Sequence, residues 1–172
     1  MSTIEFFPSK SYSIRRYTLT RDGAEIGQID CGGVRGTAAI VLGGVSGGVS
    51  GGTTYTPVID SVARGKFHLE ANGVRIAGAQ SAGFWFRYFN VQAGTRSYTL
   101  TMASWFGRRF ALMENGTELG RIGVTNAFSG RARAELPDGM PLEVQAFLIW
   151  LVISTWRRAA AATVVAGTTA GR

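Results

Sequence analysis

A mainly β fold, an antiparallel closed β-barrel of about twelve strands enclosing one hydrophobic C-terminal α-helix, is what this sequence predicts. Three observations carry the prediction. One hairpin pattern occurs three times, short strand-like segments separated by turn residues fill most of the chain, and a single long helical segment is apolar on every side. A closed sheet leaves no edge strand exposed and provides an interior, which a helix without a polar face requires.

The hairpins come first. Residues 17–26, 67–76 and 110–119 share the pattern aromatic-x-Leu-x-x-Asp/Asn-Gly-x-x-Ile/Leu. Asp22-Gly23, Asn72-Gly73 and Asn115-Gly116 suit the positive φ angles of a two-residue type I′ turn between alternating strands. Such a turn sets Leu19 opposite Ile26, Leu69 opposite Ile76 and Leu112 opposite Leu119, with Glu70 and Arg75 as an outward ion pair. In Ile26-Gly27-Gln28-Ile29 and Leu119-Gly120-Arg121-Ile122 the apolar residues stand three apart. A β-bulge at Gly27 and Gly120 restores the alternation; two ordinary strand glycines are the other reading.

Strands are expected at 4–7, 12–19, 24–29, 37–42, 53–59, 66–70, 74–79, 84–91, 97–103, 109–113, 118–124 and 128–135. The Gly- and Ser-rich run 43–52 reads as a flexible strand connection. It lacks the lysine, the hydroxyl residue and the following helix of a phosphate-binding loop. Phe84-Trp85-Phe86-Arg87-Tyr88-Phe89 places rings on both faces of one strand, which predicts that both are covered.

The helix is expected over 141–158. Asp138, Gly139 and Pro141 punctuate its start, Glu143 favours the positive end of its dipole, and Arg157-Arg158 the negative end. Val144, Phe147, Leu148, Trp150 and Leu151 are its expected core residues. The run 144–156 spans roughly 20 Å against about 30 Å of bilayer hydrocarbon, which favours enclosure by protein over insertion in lipid. Residues 1–158 form one domain on this reading, and 159–172, rich in Ala, Thr and Gly, form a frayed extension and loose tail.

Eighteen basic residues face eleven acidic ones for a net charge of +7. Such a field attracts polyanions of any kind, nucleic acid and anionic lipid headgroups included. The expected lipid contacts are Arg15, Arg16, Arg108, Arg109, Arg131 and Arg133. Arg131 and Arg133 lead because a strand aims residues two apart at one face, with Glu135 near enough to neutralise one of them. No metal site and no cofactor are expected. His68 is the lone histidine and alternates with Phe67 and Leu69, which points it to the solvated face; Cys31 reads as a small buried hydrophobe. The carboxylates show no spacing of a paired acid and base, so a non-enzymatic role is expected. The N-terminal residues lack a secretory pattern, which sets the expected location as cytoplasmic, with peripheral association at the inner membrane face.

The three hairpins, followed by Val144-Gln145-Ala146-Phe147-Leu148-Ile149, resemble the Tubby C-terminal-like superfamily, which includes the LURP-one-related proteins and the phospholipid scramblases. The six helix residues are similar to the Leu-Gln-Ala-Phe-x-Ile of Tubby's terminal helix. The resemblance covers most of the chain and implies a twelve-stranded barrel around a buried helix. It also implies binding of phospholipid or phosphoinositide headgroups, or lipid movement by a membrane-tail-anchored, scramblase-like protein. No stretch here matches Tubby's basic lipid-binding residues, and Cys31 alone has no likeness to the scramblases' cysteine cluster. A structural or regulatory interaction protein, or a non-specific nucleic-acid binder, would use the same positive charge.

Overall fold

All three Asp/Asn-Gly pairs make the expected turn. The φ angles are 52° and 78° at Asp22 and Gly23, 50° and 78° at Asn72 and Gly73, and 51° and 80° at Asn115 and Gly116. They lie in a computed structural model that describes residues 1–9, 16–32, 37–43, 51–82, 87–103, 108–126 and 130–169, with side chains described as far as residue 161. Phe84, Trp85 and Phe86, expected in a strand covered on both faces, lie outside the described residues, as do Arg15 and most of the Gly-rich run.

Twelve strands follow in order: β1 (Ser2–Pro8), β2 (Arg16–Arg21), β3 (Ala24–Asp30), β4 (Ala39–Leu42), β5 (Thr53–Ser61), β6 (Lys66–Ala71), β7 (Val74–Ser81), β8 (Tyr88–Ala93), β9 (Arg96–Met102), β10 (Arg109–Glu114), β11 (Thr117–Asn126) and β12 (Arg131–Leu136). Each pairs antiparallel with its chain neighbours, and β12 returns to β1, with Ser2 opposite Leu136 and Phe6 opposite Ala132. The sheet is therefore a closed barrel without edges.

Beyond the turns the register differs from the expected one. Thr20 pairs with Glu25, but Leu19 then pairs with Gly27 and leaves Ile26 as the extra residue. Likewise Leu69 pairs with Ala77, and Leu112 with Gly120. All three hairpins bulge at the same place, so bulges it is, one residue earlier than the glycines alone suggest. A bulge increases local twist and bends the strand, which helps a wide sheet to curl shut. A Cβ on Gly27 would meet the Val41 carbonyl, and one on Gly120 the Glu135 carbonyl, so glycine stands where the bulged strand crowds its neighbour. Glu70 does stand opposite Arg75. The expected ion pair is nonetheless absent: the Glu70 carboxylate accepts from His68 Nε2 at 2.8 Å, and the Arg75 guanidinium lies over Gly78.

Helix α1 (Leu142–Thr169) fills the barrel. The Pro141 carbonyl accepts from the amides of Val144 and Gln145, both at 3.0 Å, and opens the first turn. From Val144 to Ile153 every residue is buried, which places the five expected core residues as predicted. Trp150 packs between Phe147 and Phe67, each at 5.9 Å between ring centroids, and Phe6 stacks on Trp156. Each such side chain stabilises the fold by about 1.5–3 kcal/mol through apolar area removed from water. The single amide in this environment is satisfied. Gln145 donates to the carbonyls of Pro137 and Met140, and its Oε1 accepts from Arg21 at 3.2 Å and from the Ser2 hydroxyl at 3.3 Å.

The helix ends later than expected. It runs past Arg158, with Ala159, Ala160 and Ala161 exposed, to Thr169. Alanine has the highest helix propensity and no bulk to interfere, so an Ala run extends a helix already nucleated inside the barrel. Among the described residues no helix is long and apolar enough to cross a membrane.

Candidate functional site

Antiparallel order sorts strand ends between two mouths. The three Gly turns, the start of β1 and the N-terminus of α1 meet at one mouth, called here the turn mouth. At the other, the exit mouth, β2, β4, β6, β8, β10 and β12 begin and the helix leaves the barrel.

Charge divides along the same axis. Among the described residues, Arg16, Arg64, Lys66, Arg87, Arg108, Arg109 and Arg131 stand at strand ends of the exit mouth, joined by Arg157 and Arg158 from the helix. Only Asp30 and Asp60 oppose them. The turn mouth carries Asp22, Glu25, Glu70, Glu114, Glu118, Asp138 and Glu143 against Arg21, Arg75 and Arg96. A net charge that looked diffuse in the sequence is a polar field along the barrel axis.

The helix arginines brace the exit. Arg158 lies 5.1 Å from the centroid of the Phe67 ring, and burial lowers its pKa from the usual value. Arg157 lies beside Cys31. Burial pushes the Cys31 thiol up to about 11 against the pull of that arginine, so the thiol stays protonated and unreactive at neutral pH. Burial raises the Tyr17 pKa too, and both Arg157 and Arg108 act on it in the opposite sense, which places the two guanidinium groups at one rim.

The expected lipid contacts divide. Arg16, Arg108, Arg109 and Arg131 gather at this mouth because their strands all begin there. Arg16 pairs with Asp30 at 3.4 Å, and Arg131 lies over the Phe7 ring at 5.6 Å. Arg133 shares the outward face of Arg131, as expected. Yet it is bound across the barrel seam to Glu5 at 3.1 Å, rather than to Glu135, and sits further along the strand. Arg109, Arg121 and Arg133 line one shallow groove of about 330 Å³; Arg121 pairs with Glu118, and Arg109 has no carboxylate partner among the described residues. Arg133, one of the expected leading pair, is thus compensated, and Arg108 and Arg109 rank above it. Arg64, Lys66 and Arg87 were not singled out, although counting strand reversals from the turn residues would have put them at this mouth.

A second cluster corrects the sequence reading. His68 is only 8% exposed, not solvated. Its Nδ1 lies 2.9 Å from the Asp60 carboxylate and its Nε2 2.8 Å from Glu70. Asp60 reaches it because β5 bulges between Ile59 and Ser61, and Glu70 because it shares the outer face of β6. The His-x-Glu spacing was legible in the sequence; the Asp60 contact was not. Two carboxylate acceptors can both be satisfied only by an imidazolium, which donates from both nitrogens. Burial works to lower the His68 pKa, but the hydrogen bonds and charges of Asp60 and Glu70 prevail and raise it. A raised folded pKa stabilises fully below the unfolded value of about 6.5 and is lost as pH rises through the folded value. The melting temperature should therefore fall from near pH 6.5 upward, and less so in Asp60→Asn/Glu70→Gln. Because His68 is the lone histidine, its single NMR Cε1 proton resonance reports the titration directly; an apparent pKa below 6.5 would contradict the clamp.

The described residues contain no group of three or more His, Cys, Asp or Glu side chains arranged to hold a metal. Fold and site together define a helix-threaded β-barrel with a cationic exit mouth and an acidic turn mouth. Comparison with known proteins returns no match, whether to a protein-family model, a curated protein or a solved structure.

Proposed function

We propose that this protein is a non-enzymatic module that docks by its exit mouth on an anionic phospholipid surface, at the cytoplasmic face of a membrane. The segregation of charge along the barrel axis carries the reading. An acidic turn mouth turns away from an anionic surface while the guanidinium groups of the exit mouth turn toward it, so the field orients the molecule as well as attracting it. Arginine matches phosphate oxygens with a two-pronged fork, and each basic group near such a surface contributes about 1 kcal/mol, screened within a Debye length. The resemblance to the Tubby C-terminal-like superfamily supports headgroup binding and extends it to phosphoinositides. Both nitrogens of His68 are engaged and the Cys31 thiol is held protonated, which agrees with a role without catalysis.

The test compares two charge-matched triples in vesicle cosedimentation. Arg108→Gln/Arg109→Gln/Arg131→Gln should weaken binding to phosphatidylserine vesicles on the order of 100-fold at low salt, as three lost contacts imply. The same change at the turn-mouth residues Arg21, Arg75 and Arg96 should cost far less. Equal losses would mean attraction without a docking face, and no wild-type binding at low salt would overturn the reading. Retention on duplex DNA but not on vesicles, with the same mouth dependence, would replace lipid by nucleic acid.

A further inference from the structure

A groove of about 670 Å³ lies on the outer face of β6 to β10 and reaches the exit mouth at Lys66 and Asp60. Its floor is a cross-strand row. Lys66 stands opposite Gln80, Gln80 opposite Asn90, and Asn90 opposite Thr99, one residue on each of four adjacent strands. At the spacing of a sheet the row is about 14 Å long, with a polar group roughly every 4.8 Å.

Three features set the row apart from an ordinary solvated face. The side chains of Lys66, Gln80, Asn90 and Arg75 have no hydrogen-bond or ion-pair partner among the described residues, so their side-chain donors and acceptors stand open. The neighbouring groups are, by contrast, tied down. Ser97 donates to Gln92 Oε1 at 2.6 Å, Gln92 Nε2 donates to the Gly94 carbonyl at 3.1 Å, and Arg96 forks onto Glu114 with bonds of 2.9 and 2.7 Å. Gly78, lacking a side chain, lets the Arg75 guanidinium lie down into the groove. Tyr88, on the same outer face of β8 as Asn90, is an exposed ring beside the row at 37% exposure.

An open amide both donates and accepts, as a sugar hydroxyl does, and a cation pairs with a carboxylate. An exposed tyrosine offers an apolar face and a polar tip to a ring that has both. The rung spacing is comparable to one pyranose ring of a linear chain. We propose that this groove binds an acidic oligosaccharide laid across the strands, its hydroxyls on Gln80, Asn90 and Thr99 and a carboxylate at Lys66 or Arg75. The rigid sheet holds the row in place, so little side-chain ordering opposes binding.

Titration calorimetry with a uronic acid tetramer tests this, with its carboxyl-reduced neutral counterpart and inorganic phosphate as controls. The tetramer should bind, the neutral chain more weakly, and phosphate not measurably. Gln80→Ala/Asn90→Ala and Tyr88→Ala should each raise Kd at least tenfold with unchanged melting, since all three side chains are exposed. Vesicle binding should be unaffected by these variants, because none of them removes a charge, which separates failure of this reading from failure of the exit-mouth docking. Absence of tetramer binding, equal affinity for the neutral chain or for phosphate, or indifference to the variants would each overturn the proposal.

Discussion

Phe147→Asp is expected to abolish the cooperative melting transition of this protein. Phe147 is fully buried and stacks on Trp150 within the barrel. Truncating a buried Phe costs about 3–5 kcal/mol by itself. An unpaired carboxyl group in that apolar site adds several more, and the sum approaches the 5–15 kcal/mol of a typical domain's whole stability. The effect should be specific to the enclosed part of α1. Ala160→Asp, on the exposed stretch beyond the exit mouth, should change stability by no more than about 0.5 kcal/mol. Circular dichroism melting of the two variants decides the matter, and a Phe147→Asp protein melting like the wild type would refute an enclosed helix.

Gly27→Ala combined with Gly120→Ala should be the next most damaging change. Each new methyl group would press on main chain: the Val41 carbonyl in β4 at one site, the Glu135 carbonyl and Leu136 Cα in β12 at the other. Main chain paired on both sides yields less readily than the tip of a side chain. Overpacking of this kind costs about 1–3 kcal/mol per site, and separated sites add, so a loss of about 2–6 kcal/mol is expected in denaturant unfolding. Gly139→Ala, where nothing lies within 4 Å of the added atom, is the matched control and should be nearly neutral. A double variant as stable as this control would show that the bulged strands have room to spare.

The three turns, the alternation of the strands and the all-apolar helix were legible because each is a local matter. Positive φ at Asp22, Asn72 and Asn115 follows from the two residues of the turn. The burial of Val144, Phe147, Leu148, Trp150 and Leu151 follows from the lack of any polar face on their helix. The bulges were legible only in part. A break in the period of two reveals an extra residue, but whether Ile26 or Gly27 is the odd one depends on which strand packs beside it, and the Val41 carbonyl is contributed by β4.

Much of the candidate site was hidden for a related reason. Arg131 and Arg133 look alike on one strand, yet Arg133 meets Glu5 from the far end of the chain only because the barrel closes β12 against β1. His68 reads as a surface residue until the bulge in β5 brings Asp60 against it. The charged mouth lies between these cases, since alternating strand direction already assigns every strand end to one side. By itself the sequence determined the turns, the strand and helix periods and the excess of arginine, properties set by neighbours along the chain. Only the tertiary structure decided which charges are compensated and which stand open, because ion pairs form between residues brought within a few ångströms when the sheet curls shut, whatever their separation in sequence.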